Sequence, residues 1–334
     1  MMSWQRFASA FGVWSEARPY LPLMVEQDEA DLVLALDEGA ATVQDVADRL
    51  ELGLVEAEAL LRQAYRRHIV DKEVEGDKVR YAPGRFDHFL DYFAKHGAWD
   101  EIPQEARQAL DQRFLNQFIT QQRPKVEALR QGLAVDEAPP NDTVLLLVEV
   151  EEMIEAATHI VVEPCDCRRL GQNCERPVET CIWMDDLALE ALDRGHGRRL
   201  TEAQALARVR WADKRGLMHT GDAAWQERGL GAICNCCACD CYPFRAAQVL
   251  GSKGIWPKIR HVAVYDPDRC NLCGACVRRC HFQAFFHDGS YVEIEGKQLA
   301  QVRFEPERCW GCGLCANSCP SDAIFMARLE GEGV

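Results

Sequence analysis

A spacing of four cysteines occurs twice near the end of this 334-residue chain, and it constrains the fold more than any other feature of the sequence. The run Cys-x₂-Cys-x₂-Cys-x₃-Cys begins at Cys270 and begins again 39 residues later at Cys309. The match includes the five residues before each run, 265–269 and 304–308. Two copies of one short unit predict a pseudo-symmetric fold in this part of the chain.

The distribution of cysteine separates the chain into two halves. All 17 cysteines lie at or beyond Cys165. A secreted disulfide scaffold is usually shorter than this chain, and an odd number of cysteines fits such a scaffold badly. In a longer intracellular chain, clustered cysteines are more often metal ligands. The sequence therefore predicts metal centres after position 165.

The repeated run resembles the bacterial-type ferredoxin with two [4Fe–4S] clusters, over residues 260–328. In that family, three cysteines of each run hold one cluster and the fourth holds the other. The resemblance implies two ligand sets. The first set is Cys270, Cys273, Cys276 and Cys319, and the second set is Cys309, Cys312, Cys315 and Cys280. A zinc ribbon, the alternative, uses two Cys-x₂-Cys knuckles and would leave the third and fourth cysteine of each run unexplained.

Other residues of the repeat also bear on the clusters. Gly274 and Gly313 stand where the loop would run tightly against a cluster, which suits a residue without Cβ. His281 replaces the proline that this family places after the fourth cysteine. It could donate a hydrogen bond or charge near a cluster, or it could be solvated. Arg278 and Arg279 could offset cluster charge, mark a docking edge or belong to a solvated face.

Nine further cysteines form two groups between residues 160 and 258. The first group is Cys165, Cys167, Cys174 and Cys181, and the second is Cys234, Cys236, Cys237, Cys239 and Cys241. This density is too high for core packing, where free cysteine occurs singly as a small apolar residue. Soft thiolates in this number favour iron–sulfur clusters or zinc. We expect one or two additional [4Fe–4S] clusters, one on the first group and one on four of the second, although the groups could share ligands. Zinc or a thiol redox site is the alternative.

Residues 1–140 contain no cysteine and are predicted to be mostly helical. The predicted elements are helices at 28–38, 42–50 and 55–68, a hairpin at 69–81, helices at 86–96 and 103–131, and a linker at 135–141. Thr42 is a candidate N-cap for the second helix. Three helices followed by a hairpin resemble a winged helix-turn-helix over residues 28–83.

The fold class predicted for the whole chain is α+β, in three domains. These are a helical, winged-helix-like domain at 1–140, a cysteine-rich domain at 141–258 and a ferredoxin-like domain at 259–334. In the middle domain we expect a helix at 143–158, a strand at 159–162 and helices at 185–192 and 201–214. The last of these helices has a capping box that begins at Thr201. A hairpin insert is expected at 291–304.

Charge and hydropathy disfavour several classes of protein. The net charge of −15 argues against non-specific nucleic-acid binding, which needs clustered cations. The candidate recognition helix at 55–68 also carries Glu56 and Glu58 in its first turn, where base-contacting residues would lie. The longest apolar run, 144–148, is far shorter than the roughly 20 residues of a membrane span. With no recognisable signal peptide at the start of the sequence, we expect a cytoplasmic protein.

The sequence favours an iron–sulfur electron carrier over an enzyme. We expect it to relay single electrons between a donor and a redox partner, an oxidoreductase or flavoprotein, in anaerobic metabolism. The N-terminal domain would serve docking or homodimerisation. One alternative is a redox-sensing winged-helix regulator, and another is a reductase with an unusual catalytic cluster in residues 160–241. No dinucleotide-binding or P-loop motif indicates a nucleotide or flavin held by this chain.

Overall fold

The computed structural model describes residues 2–135 and 142–329, and the chain divides into two compact units. Unit 1 comprises Met1–Phe114 with Arg169–Gln172 and Ala191–His196, and unit 2 comprises the remaining residues. The predicted linker lies outside the described residues except for Val135. The division into three domains stays a prediction. Among the described helices, none is long and apolar enough to span a membrane.

Unit 1 is mostly helical and contains one hairpin. Its elements are α1 (Met2–Ala10), α2 (Leu21–Met24), α3 (Gln27–Ala35), α4 (Val43–Leu50), α5 (Leu54–Arg66), β1 (Val70–Glu75), β2 (Lys78–Pro83) and α6 (Phe86–His96). Helix α7 (Gln104–Arg130) begins in this unit. Thr42 caps α4 as predicted, because its hydroxyl accepts a hydrogen bond from the backbone of Asp45. The predicted helices and the hairpin are therefore present, with ends that differ by a few residues.

Unit 2 is built on a six-stranded antiparallel sheet that the sequence analysis did not predict. Its strands are β3 (Thr143–Leu145), β4 (Ile160–Pro164), β5 (Glu179–Met184), β6 (Arg198–Arg199), β7 (Met218–Gly221) and β8 (Ala232–Cys236), in the order β3-β7-β8-β5-β4-β6. The helices of this region are α8 (Leu147–Ala156), α9 (Asp166–Gly171), α10 (Asp185–Asp193), α11 (Glu202–Lys214), α12 (Trp225–Arg228) and α13 (Tyr242–Leu250). Residues of α8 and α11 share one buried apolar cluster with the sheet, including Met153, Ile182 and Val209.

The predicted helix at 143–158 was wrong in its first turn. Thr143, Val144 and Leu145 are all buried and pair with β7 as a strand. The helix starts only at Leu147, because the Glu149 side chain accepts a hydrogen bond from the backbone amide of Leu146 at 2.7 Å. A short apolar run of this kind fits a buried strand as well as a buried helix, so its periodicity alone does not separate the two.

The C-terminal part of unit 2 repeats one arrangement twice. Each copy has a short 3₁₀ turn followed by a short helix, α14 (Ala275–Arg279) in the first and α15 (Leu314–Asn317) in the second. Strands β9 (His261–Tyr265) and β12 (Ile324–Arg328) pair antiparallel. The predicted hairpin insert is present but longer, with β10 at Phe285–Ile294 and β11 at Lys297–Phe304.

We expect the central sheet to depend on the packing of Ile182, which lies on β5 and is fully buried. Ile182→Ala should lower the free energy of unfolding by about 2–5 kcal/mol, because it leaves a cavity between the sheet and its helices. Anaerobic urea denaturation followed by circular dichroism measures this change. The matched control is Ile294→Ala on the exposed hairpin, which should cost less than about 1 kcal/mol. Equal losses in the two variants would contradict the prediction.

A cluster of three histidines and a tyrosine lies in unit 1. The ring of His196 is 5.1 Å from that of Tyr92, and 5.4 Å from the rings of both His68 and His96. The Nε2 atom of His196 also hydrogen-bonds the carbonyl oxygen of Arg66 at 2.5 Å. Burial lowers the pKa of His196 to about 4 and that of His68 to about 2. The folded unit therefore holds these two imidazoles neutral at neutral pH.

Unit 1 should lose stability as the pH falls. Between the ordinary pKa of 6.5 and the lowered value of about 4, unfolded His196 binds a proton that the folded unit does not. The free energy of unfolding thus decreases from pH 7 to pH 5. His196→Gln, whose amide can donate to the same carbonyl, should make this decline shallower in hydrogen exchange of the α5 amides. His287→Gln, at an exposed position outside this cluster, should keep the wild-type slope. An unchanged slope in His196→Gln would contradict this assignment.

Candidate metal centres

The structure brings together the four cysteines of the second predicted ferredoxin set. Cys280, Cys309, Cys312 and Cys315 line one small cavity together with nine other residues, Trp310 among them. Cys280 comes from the first copy of the repeat and the other three from the second, as the ferredoxin resemblance implies. A cavity walled by four thiols has the donor set that a [4Fe–4S] cluster needs.

Backbone amides donate to the thiols at equivalent positions of the two copies. The donors and acceptors are Leu272 N to Cys270 Sγ at 3.3 Å, Gly311 N to Cys309 Sγ at 3.4 Å, Ala284 N to Cys280 Sγ at 3.1 Å and Ala323 N to Cys319 Sγ at 3.2 Å. Hydrogen bonds to sulfur stabilise the thiolate and are among the features that set cluster potentials. The two copies of the repeat therefore place equivalent backbone donors beside equivalent thiols.

The first ferredoxin set differs from the second in exposure. Cys273 is exposed, whereas Cys276 is buried and packs in one apolar cluster with Cys319. Gly274 and Gly313 both have positive φ, +66° and +76°, which explains glycine at these two positions. The first set thus includes a thiol that solvent reaches directly, that of Cys273.

His281 and Arg279 are partly buried and hydrogen-bonded, so the solvated alternative does not hold for these two residues, whereas Arg278 is exposed. The Nε2 atom of His281 hydrogen-bonds the carbonyl oxygen of Gly216 at 2.7 Å, and burial lowers the pKa of His281 to about 4. Arg279 donates to the carbonyl oxygens of Lys214 and Leu314, at 3.0 Å and 3.2 Å. Both side chains therefore bind the first copy of the repeat to the segment that follows α11.

Six of the nine other cysteines form a closed ring of contacting thiols, here called the six-thiol group. In order around the ring they are Cys165, Cys167, Cys241, Cys236, Cys234 and Cys181. The Sγ atoms of Cys241 and Cys236 are 3.2 Å apart. Hydrogen bonding to Cys165 and burial raise the pKa of the Cys167 thiol well above its ordinary value. The six-thiol group therefore contains two thiols more than the four that a cubane cluster requires.

The remaining three cysteines form a separate group with a carboxylate, here called the Cys₃Asp group. Ligand atoms of Cys174, Cys237, Cys239 and Asp240 all lie within 4.8 Å of one another. Hydrogen bonding from Cys239 and the positive charge of Arg168 lower the pKa of the Cys237 thiol to about 5. This group therefore favours a thiolate at Cys237.

Arg168 is a buried cation that interacts with thiols of both groups, the six-thiol group and the Cys₃Asp group. Its guanidinium donates to the carbonyl oxygens of Pro177 and Asn235, each at 2.8 Å, and to the hydroxyl of Thr180. An Nη1 atom lies 3.8 Å from the Sγ atom of Cys237. The negative charges of Cys165, Cys181 and Cys237 raise the pKa of Arg168. The positive charge of Arg168 thus offsets negative charge on thiols of both the six-thiol group and the Cys₃Asp group.

These two groups cut across the ligand sets predicted from sequence order. Cys174 lies with Cys237 and Cys239 rather than with its neighbours in the sequence. Asp240 and Arg168 were not among the residues predicted from the sequence. The only sequence signal for Asp240 was its position between two cysteines, and nothing in the pattern marked Arg168 as buried. How the metals are distributed over these thiols remains a proposal.

Comparison with known proteins supports the C-terminal assignment. Residues 269–323 match the family model of the 4Fe-4S dicluster domain. No curated protein and no solved structure matches the chain. The match and the cysteine groups indicate an iron–sulfur protein with a C-terminal dicluster domain, in a structure of helices and strands.

We expect Arg168 to be required for stability of the cysteine-rich region. Arg168→Met should lower the free energy of unfolding by about 3–5 kcal/mol, because it leaves buried negative charge and three acceptors without their partner. Anaerobic urea denaturation followed by circular dichroism measures this. Arg199→Met, at an exposed position of β6, should stay within about 0.5 kcal/mol of wild type. The role assigned to Arg168 would be wrong if both variants were equally stable.

Proposed function

We propose that this protein is an electron carrier with three [4Fe–4S] clusters, two on the ferredoxin cysteines and one on the six-thiol group. One observation carries this proposal. Cys236 and Cys241 of the six-thiol group lie in the same buried apolar cluster as Trp310 and Leu314, and Cys312 packs against that cluster. The six-thiol group and the second ferredoxin set are thus joined by continuous packing.

The ligand sets that we propose for the dicluster domain are the two that the ferredoxin resemblance implies. When bound, a [4Fe–4S] cluster supplies one-electron chemistry that needs no substrate at the metal. The protein contributes spacing, burial and hydrogen bonds to sulfur. The four backbone amides that donate to ferredoxin thiols favour the extra negative charge of a reduced state.

Aromatic side chains fill the space between the two regions. The rings of Phe282 and Trp310 stack with their centroids 4.4 Å apart, and Phe244 lies 5.3 Å from Trp310. They pack in the apolar cluster that includes Cys241 and that Cys312 contacts. The exposed Cys273 marks the side from which we expect a redox partner, an oxidoreductase or flavoprotein, to approach.

Burial of the six-thiol group favours electron transfer over substrate reduction. Cys165, Cys181, Cys236 and Cys241 are each at most 6% exposed. A catalytic centre needs a metal position that substrate can reach, whereas outer-sphere electron transfer does not. The reductase alternative is therefore the weaker interpretation of these thiols.

We propose that unit 1 contains a winged helix used for protein docking or homodimerisation. The order of α3, α4, α5 and the β1–β2 hairpin supports this assignment. Helix α5 exposes Val55 (81%) and Leu54 (53%), while its cation Arg62 is paired with Glu58 at 3.1 Å. Apolar residues and internally paired charge fit a protein partner better than the basic footprint that DNA requires. Thiolate-rich centres of this kind suit the reducing cytoplasm, and we place the protein there, in anaerobic metabolism.

Metal content and redox titration under anaerobic conditions test this function. The purified chain should contain about twelve iron and about twelve acid-labile sulfide, and should take up electrons in three one-electron steps. The variant with Cys165, Cys181 and Cys234 all changed to Ala keeps only three ring thiols. It should contain about eight iron while retaining both ferredoxin signals in electron paramagnetic resonance.

The matched control is Cys273→Ala, which should alter a ferredoxin signal and leave the third cluster in place. About eight iron in the unsubstituted chain would remove the third cluster from the proposal. Twelve iron in the triple variant would place that cluster elsewhere. Failure of the chain to accept electrons at all would overturn the electron-carrier function.

A further inference from the structure

The Cys₃Asp group is more compact than the two ferredoxin sets. The Sγ atoms of Cys174 and Cys237 are 3.9 Å apart. The Oδ2 atom of Asp240 lies 2.9 Å from the Sγ atom of Cys174 and 3.8 Å from that of Cys237. Cys239 completes the group, so four ligand atoms surround one point.

The separation of the two thiols fits ligands that share a single ion. With Zn–S bonds of about 2.3 Å, the sulfur atoms of a tetrahedral zinc site lie about 3.8 Å apart. The observed Cys174–Cys237 separation of 3.9 Å is close to this value. A cubane, in contrast, holds its thiolates on four separate iron atoms, so they lie farther apart than thiolates that bind one ion.

The same structure provides an internal comparison. Among the described residues, two groups of three or more ligand atoms converge within 4.8 Å, and neither includes a ferredoxin cysteine. The other group, Cys165 with Asp166 and Cys181, has only two thiols, and both belong to the six-thiol ring. The thiols that match the dicluster domain are thus more widely spaced than those of the Cys₃Asp group.

The surroundings of Asp240 fit a metal-binding carboxylate. Asn173 donates to its Oδ1 atom twice, from the backbone amide at 2.9 Å and from the side-chain amide at 3.0 Å. This leaves the Oδ2 atom directed at the thiols. Asp240 and Cys237 are fully buried, so negative charge accumulates there with Arg168 as the cation in contact. A buried carboxylate beside thiolates is costly unless a cation compensates it, and a hydrogen-bonded outer shell is typical of ligating carboxylates.

We propose that Cys174, Cys237, Cys239 and Asp240 bind one zinc ion in tetrahedral geometry, separate from the iron–sulfur clusters. The ion would join the loop at 173–174 to the segment 237–240, and would balance two of the four ligand charges. Arg168 would offset one more. This assignment does not depend on how many clusters the chain binds.

Elemental analysis of the full chain, purified anaerobically and washed with a chelator, tests the proposal. The wild-type chain should retain about one zinc per chain. Cys239→Ser should lose the zinc and keep all of its iron. Asn173→Ala, which removes the side-chain donor to Asp240, should weaken zinc retention against a competing chelator by about 10–100-fold. Cys273→Ser in the ferredoxin set is the matched control and should keep its zinc.

Two outcomes of that analysis would overturn the zinc site. A loss of about four iron in Cys239→Ser would show that these residues hold a cubane, and zinc unchanged in Cys239→Ser would place the ion elsewhere. If Cys239→Ser does not fold, X-ray absorption at the zinc edge of the wild-type chain decides. It should show three sulfur neighbours at about 2.3 Å and one oxygen at about 2.0–2.2 Å. No zinc, four sulfurs or an oxygen and nitrogen shell would refute the proposal. The iron count at the six-thiol ring is a separate measurement, so either proposal can fail alone.

Discussion

Nine thiols converge in the cysteine-rich region, and the charge that they carry as ligands must be balanced inside the protein. Arg168 supplies one fixed positive charge, held by the carbonyl oxygens of Pro177 and Asn235 and in contact with Cys237. A buried guanidinium with several acceptors is costly to form but keeps its charge at all physiological pH values. One arginine cannot balance nine thiolates, so in the proposed metal centres the bound metal would supply most of the compensation. Folding of unit 2 would then be coupled to metal binding.

The antiparallel sheet determines which thiols meet. Cys234 and Cys236 lie on β8 at alternate positions, so their side chains point to the same face and that of Asn235 points to the other. Asn235 then pairs with buried His219, whose Nδ1 atom is 2.7 Å from the Asn235 side-chain oxygen. Cys237 follows the end of the strand and joins a different group. Two consecutive residues, Cys236 and Cys237, thus belong to different thiol groups.

The dicluster domain and the sheet belong to one compact unit because polar and apolar contacts act together. Asp213, at the end of α11, accepts from the side chain of Asn317 at 2.8 Å and lies 3.5 Å from Arg279. The stacked rings of Phe282 and Trp310 add an apolar contact beside it. Arg279, which resembled part of a solvated face in the sequence, therefore belongs to an internal connection, whereas Arg278 is exposed. A ferredoxin domain that was free to move would not keep a fixed distance to the six-thiol group.

The dicluster domain could be predicted from the sequence alone. The ligand spacing in Cys-x₂-Cys-x₂-Cys-x₃-Cys is a local property, so it can be recognised without knowing how the rest of the chain folds. Most helices of unit 1 were predictable for the same reason, since capping and helical periodicity act over a few residues, as at Thr42. The six-stranded sheet was not predictable, because its strands are short, two of them contain cysteines, and their pairing is non-local. The grouping of the middle thiols was decided by that pairing: Cys174 meets Cys237 across 63 residues of chain, a contact that no local pattern records. Only the tertiary structure placed Asp240 and Arg168 beside the thiols, because burial and charge compensation depend on what surrounds a side chain in space.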